Sequence, residues 1–320
     1  MKRGFETIAW KFRGEVFPCI KEYWECGDTG ERFTTTEGDQ NCYIQATNQY
    51  RVAHGIPFAD EIVGMRKRYR LSARKIAKIL GIGYNQYRGY ENGDVPSESN
   101  GKLMRSISSP VVMRDMIYNS ADIMGESSTK EIIGHLNQLI SQAEDNIIMA
   151  HELKRIFGVT RGAENGYAHL SIEKLKNLLL YVLQRCENVW VTKMNKLLFY
   201  IDFISYRDNG YAISGLSYLA LDYGPVPRKW AYVYSLFDEI QQVPCSEQDF
   251  SGHLLSTREQ PDLSLFSEEE RRVMDKVCNT LGSLSASRLS ELSHQEDSWL
   301  KKHKSHGCID YSDAFTIRAL

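Results

Sequence analysis

Between Leu219 and Trp230 the sequence reads LALDYGPVPRKW. Pro225 and Pro227 stand one residue apart, and each locks its own φ near about −65°. Each also pushes its predecessor, Gly224 or Val226, away from the helical region. No helix can pass through such a segment, so the chain must turn a rigid corner between a strand-like run and a helix-like, aromatic stretch. Tyr218, Tyr223, Trp230, Tyr232 and Tyr234 crowd that corner. They either pack it onto neighbouring helices or present a contact surface, since Tyr and Trp offer large area at little conformational entropy. Spacing alone favours packing.

The chain has 320 residues, enough for two or three domains. With 42% hydrophobic and 25% charged residues its composition is that of ordinary globular proteins. No apolar run approaches the roughly 18 residues of a membrane span, and MKRGFETIAWKF breaks its apolar residues with charge. A cytoplasmic protein without membrane contact is expected. Seven scattered cysteines form no paired framework, which predicts reduced thiols and no disulfides.

Residues 1–55 alternate aromatic and β-branched groups with Gly, Asp and Thr clusters, predicting an antiparallel ribbon with turns at Gly14, Gly27-Asp28 and Gly38-Asp39. Such a ribbon is marginal alone and should lean on the helices next to it in sequence. Residues 56–105 hold three short helices, with Ser72 capping the second and Gly81 and Gly83 in the turn to the third. Residues 106–167 read as a helical connector and a candidate for self-association. In it Ser128 or Thr129 starts a helix presenting Ile132, Ile133, Leu136, Leu139 and Ile140, and GVTRGAENGY from Gly158 to Tyr167 serves as linker. Residues 168–320 are a second, mostly helical domain in which only AISGLSYLALDYG reads as strand. The expected fold is mainly α with small β elements, an α+β class.

Arg66, Lys67, Arg68, Arg70, Arg74, Lys75, Lys78 and Arg88 concentrate positive charge in a chain whose formal net charge is −2. A charge run is usually a solvated face. Here it coincides with SARKIAKILGIGYNQYRGYENG, which has the helix, glycine turn and second helix of a helix-turn-helix, whose second helix lies in the major groove of DNA. Tyr84, Asn85, Gln86 and Arg88 are the candidate readers, because Asn and Gln can bond adenine twice and Arg can do so with guanine. Arg74 is a further candidate DNA contact. Ile76, Ala77, Leu80 and Tyr87 or Tyr90 form the core by the same geometry, and paired half-sites imply a homodimer.

This block resembles the Cro-like helix-turn-helix family. With FRGEVF and WECGDTGERF ahead of it, the arrangement is similar to MqsA-like antitoxins. That family's ribbon carries two Cys-x-x-Cys pairs for zinc, whereas here Cys19, Cys26 and Cys42 are irregularly spaced and only His54 could complete four ligands. A metal-free ribbon and no cofactor are expected. Ala73 stands where Cro-like proteins often carry Gln, and Gly89 where the MqsA-like pattern has Arg.

From Met194 the sequence MNKLLFYIDFISYRDNGYAISGLSYLALDYGPVPRKW is similar to the signature of the Panacea, or SocA-like antitoxin, domain. The likeness includes Lys196 to Asp202, the turn from Gly210 to Gly215, the YGPVP corner, LSASRLSELSHQEDSW and IDYSDAF. It implies a type II antitoxin whose C-terminal domain binds a protein toxin encoded beside it, and whose helix-turn-helix binds operator DNA to autoregulate. Tyr223, Pro225, Pro227 and Trp230 are the toxin-facing residues the resemblance suggests. No His-Glu-x-x-His, Cys-x-x-Cys, GxxxxGK or GxSxG occurs, so a binding protein rather than an enzyme is expected. A ligand-sensing transcription regulator is the first alternative, and a DNA-tethered hydrolase using His294 or Cys308 is the second.

Overall fold

A computed structural model describes residues 1–120, 125–142, 157, 160–247 and 250–320. Contacts divide the chain into two compact units, Met1–Ala46 with Lys154–Leu320, and Thr47–Leu153. The class is mostly helical with small antiparallel sheets, an α+β fold.

Strands β1 (Lys2–Phe12) and β2 (Glu15–Glu25) pair antiparallel from Lys2↔Glu25 to Phe12↔Glu15. Their two-residue loop has positive φ at Arg13 (49°) and Gly14 (89°), the conformation that matches the twist of a hairpin. Strand β3 (Arg32–Phe33) adds a short edge. No third turn occurs at Gly38-Asp39, because both lie in helix α1 (Thr36–His54). Acidic Glu37 and Asp39 in its first turn suit the positive end of the helix dipole. Gln45 on α1 completes β2, accepting from the Ile20 amide and donating to the Ile20 carbonyl at 2.9 Å each.

In the second unit, helices α2 (Ala59–Arg68), α3 (Ala73–Ile79), α4 (Tyr84–Glu91), α5 (Glu98–Ser106), α6 (Pro110–Tyr118) and α7 (Glu126–Ser141) surround one apolar core. Ile76, Ala77, Leu80, Tyr87 and Tyr90 are buried in it, together with Met113, Ile117, Ile132 and Leu136. The described part of the expected connector therefore shares the core of α3 and α4 instead of standing apart. Helix α7 begins at Glu126, not at Ser128 or Thr129, and the Thr129 hydroxyl donates to the Gly125 carbonyl at 2.9 Å. Residues 143–156, also expected to be helical, lie outside the described residues, as do Gly158 and Val159 of the expected linker. The rest of that linker is built structure: Asn165 is buried and its amide donates to the carbonyls of Ala168 (3.0 Å) and Gly215 (3.3 Å).

In the first unit, helices α8 (Ile172–Arg185) and α9 (Val191–Asn209) lead into the C-terminal region. Helix α9 is buried without a break from Lys193 to Arg207, as expected of a helix packed on every side. Around it lie strands β4 (Tyr218–Leu221) and β5 (Gly224–Pro227), helix α10 (Trp230–Ser235), strands β6 (Gln241–Glu247) and β7 (Phe250–Ser256), and helices α11 (Glu268–Leu281) and α12 (Ala286–His294). The strand content exceeds expectation, since β5 runs through the prolines and β6 pairs with β7. The ribbon does not lean on the helices next to it in sequence. Within this unit Phe5 meets Phe315 edge-on at 5.4 Å, and the Asn41 amide donates to the Arg207 carbonyl at 2.9 Å.

Candidate functional site

Polar side chains on a fully buried helix need partners, because an unpaired buried group carries the full cost of its lost hydration. On α9 those partners are the turn and corner C-terminal to it. Asp202, wholly buried, accepts from the amides of Ile213 (2.9 Å) and Ser214 (2.8 Å), the Ser214 hydroxyl, and the Tyr218 hydroxyl (2.6 Å). Burial pushes its carboxyl above the usual range, against these donors, which pull it down. Asp202 thus fixes the turn after Gly210 to the start of β4.

Lys196 stands earlier on the same helix and donates to the Pro225 carbonyl at 3.0 Å. Burial pulls its ammonium down to about 7. Strands β4 and β5 are joined by Asp222 and Tyr223, and Gly224 closes the loop at φ +99°. A Cβ at Gly224 would lie 2.3 Å from Ser293 Oγ and 2.7 Å from Lys196 Cε, so glycine is required by space as well as by φ. Asn195 accepts from the Tyr234 hydroxyl at 2.6 Å and anchors α10, while Trp299 Nε1 donates to the Leu221 carbonyl at 2.8 Å. The Trp299 ring stacks between His294 (4.1 Å) and His303 (4.3 Å). His294, at the end of α12, is drawn below the usual histidine range by burial and then by Lys196.

The predicted contact residues separate into two groups. Tyr223 at the hairpin tip is 77% exposed and Trp230 39% exposed. Pro225 and Pro227 are buried, since β5 packs against α9 and α12, and so they brace the corner without reaching its surface. Tyr232, 51% exposed on α10, is the residue that sequence reasoning left out. Its signal was available: Val233 and Tyr234 are the buried face of that short helix, which turns Tyr232 outward. Tyr218 and Tyr234 are core.

Residues 194–300 match the model of the antitoxin SocA-like, Panacea domain family. No curated protein and no solved structure matches the chain. The Panacea match takes in Lys196, Asp202, the corner and Trp299, and is narrower than the expected 168–320. The IDYSDAF segment lies beyond it, yet it completes the same core. Tyr311 stacks on Phe203 at 4.5 Å and donates to the Leu216 carbonyl at 2.8 Å.

In the second unit, α3 and α4 are joined by Leu80 to Gly83, with Gly81 at φ +66°. Ser72 Oγ accepts from the Lys75 amide at 3.2 Å and caps α3. Tyr84, Asn85, Gln86 and Arg88 on α4 are all exposed, as is Arg74 on α3, whose guanidinium lies 5.3 Å from the centre of the Tyr84 ring. The five predicted contacts therefore share the outer side of one helix pair. Arg66 does not join them, for it pairs with Glu91 and donates to the Leu71 carbonyl at 3.3 Å.

The cysteine and histidine candidates are dispersed. Among the described residues no group of three or more His, Cys, Asp or Glu is placed to hold a metal ion. Cys19 and Cys42 are buried, donating to the carbonyls of Phe17 and Ile20, and His54 stacks on Tyr50 at 4.2 Å. The Cys308 thiol is pushed up by burial and donates to the Ile309 carbonyl, an environment that does not favour the thiolate.

Proposed function

We propose that this chain is the antitoxin of a type II toxin-antitoxin system. Its C-terminal region sequesters a protein toxin encoded beside it, and α3 with α4 acts as a helix-turn-helix on operator DNA, as a homodimer reading paired half-sites. The observation that carries the first half is the Panacea match laid over an exposed aromatic tip on a braced corner. Tyr223, Trp230 and Tyr232 form the contact surface in this reading. The corner is fixed before the partner arrives, so less ordering entropy is lost on association. Neutralisation is stoichiometric binding and involves no chemistry.

The second half rests on the five exposed residues of α3 and α4, whose types match base-edge and phosphate recognition. The decisive experiment expresses the neighbouring gene with and without the full chain and then attempts co-purification. Growth arrest relieved by the full chain, with relief abolished on replacing Tyr223, Trp230 and Tyr232 together with Ala, is the expected result. A harmless neighbour that never co-purifies would overturn the antitoxin reading in favour of a ligand-sensing regulator.

A further inference from the structure

Cys186 caps the C-terminus of α8, and Cys278 lies on α11. The two helices are tied at the flanking positions, where Arg185 Nη2 donates to Asn279 Oδ1 at 2.9 Å and the Tyr181 hydroxyl bonds Asp275. That bracing sets the thiols against each other, and they share a hydrogen bond in which Cys278 is the donor. Gly282 closes the space beside them: a Cβ there would lie 2.6 Å from Cys186 Sγ and 2.3 Å from the Cys278 carbonyl oxygen. The buried Lys193 ammonium donates to the carbonyls of Glu187 and Gly282 at 2.7 Å each, placing a fixed positive charge beside the pair. Cys278, Lys193 and Gly282 line a cavity of about 720 Å³ that opens to solvent, with Trp190 and Ser285 on its wall.

We propose that Cys186 and Cys278 form a reversible dithiol site, oxidised to a disulfide by hydroperoxides entering through this cavity. The site is independent of the antitoxin reading. Cys186 is the attacking sulfur. The Cys278 hydrogen bond, with Lys193 and Arg185, holds it below the usual thiol range against burial, and the same bond and burial push Cys278 up. The Cys186 thiolate attacks one peroxide oxygen, the O–O bond breaks, and the leaving hydroxide takes a proton to become water, leaving Cys186 as a sulfenic acid. Cys278 sulfur then attacks the Cys186 sulfur, the S–O bond breaks, and the departing hydroxide takes the Cys278 proton as a second water. Two thiols have lost two electrons to one peroxide, and a dithiol reductant restores them.

The test is a cysteine map of the native full chain treated with hydrogen peroxide, quenched, denatured, alkylated and digested with trypsin. Cys186 and Cys278 fall in the peptides CENVWVTK and VCNTLGSLSASR. The expected product is these two peptides joined, two hydrogens lighter than their sum, and released by dithiothreitol. In Cys278→Ser, dimedone should label Cys186. The proposal is overturned if both peptides remain alkylated as free thiols at peroxide concentrations that oxidise Cys26 or Cys245. It also fails if dimedone labels Cys278 in Cys186→Ser while Cys186 stays unlabelled in Cys278→Ser. The wild-type map decides the matter even where a variant does not fold.

Discussion

Lys196 and Asp202 show how two polar residues on a buried helix can be structural and still lie at the centre of a family signature. In Asp202→Ala the amides of Ile213 and Ser214 and the Tyr218 hydroxyl lose their shared acceptor. Stranding several buried donors should cost about 3 kcal/mol or more, read as a lowered denaturant midpoint. Lys196 makes a prediction in pH. Its folded pKa of about 7 lies below the ordinary lysine value of 10.5, so between these limits the unfolded chain binds more protons and stability rises with pH. Below pH 7 both states are protonated and the native state carries the full burden of a buried charge. Lys196→Met removes that dependence, so wild-type stability relative to the variant should rise by about 2–3 kcal/mol from pH 6 to pH 9. Denaturation curves of both proteins at the two pH values decide it, and parallel shifts would sink the assignment.

At the scale of elements, local signals are readable in the sequence and distant ones are not. Ser72, Gly81 and the spacing of Ile76, Ala77, Leu80, Tyr87 and Tyr90 place α3, its turn and α4, because caps and helical periodicity act within a few residues. The corner reads as rigid, yet its prolines also read as surface. Their burial depends on α9 and α12 supplying Lys196 and Ser293, which no local pattern announces. Strands β6 and β7 are hidden because QQVPCSEQDFSGHLLS is polar and interrupted by Pro244; they are placed by contacts such as the Leu255 amide donating to the Val189 carbonyl at 2.9 Å. Two predictions belong here. Gly224→Ala forces a side chain into positive φ and against Ser293 and Lys196, and should cost more than about 2 kcal/mol and weaken partner capture. Thermal unfolding and pull-down report both effects. Asn85→Ala with Arg88→Ala should weaken binding to the chain's own promoter DNA by about 1–3 kcal/mol for each base-reading side chain removed, while toxin rescue persists. Fluorescence anisotropy with that DNA against a scrambled duplex measures the first, and loss of rescue in a folded variant would overturn the separation of the two activities.

At the scale of the whole molecule, the chain's order in sequence misleads most. The ribbon precedes the helix-turn-helix block, so sequence order assigns it to that neighbour. Its own side chains commit it instead to residues from Lys154 onward, through Phe5 on Phe315, Asn41 on the Arg207 carbonyl, and Ile44 against Gly210. Partners about 160 to 310 positions apart leave no periodicity to read, whereas β1 and β2 are legible from their own alternation. The match over residues 194–300 therefore marks only part of a folding unit that also draws on Met1–Ala46. A fragment of residues 168–320 lacks every one of these partners. It exposes Gly210 and the ring of Phe315 and frees the Arg207 carbonyl that Asn41 satisfies. We expect that fragment to unfold at a lower temperature than the corresponding transition of the full chain, or to be insoluble. In the full chain, Asn41→Ala should cost about 1–3 kcal/mol by leaving a buried carbonyl unpaired, with its effect on the transition that carries the Tyr311 and Trp299 signals. A fragment as stable as that transition would mean that the ribbon decorates the C-terminal region without supporting it, and neutralisation could then be assigned to residues 168–320 alone.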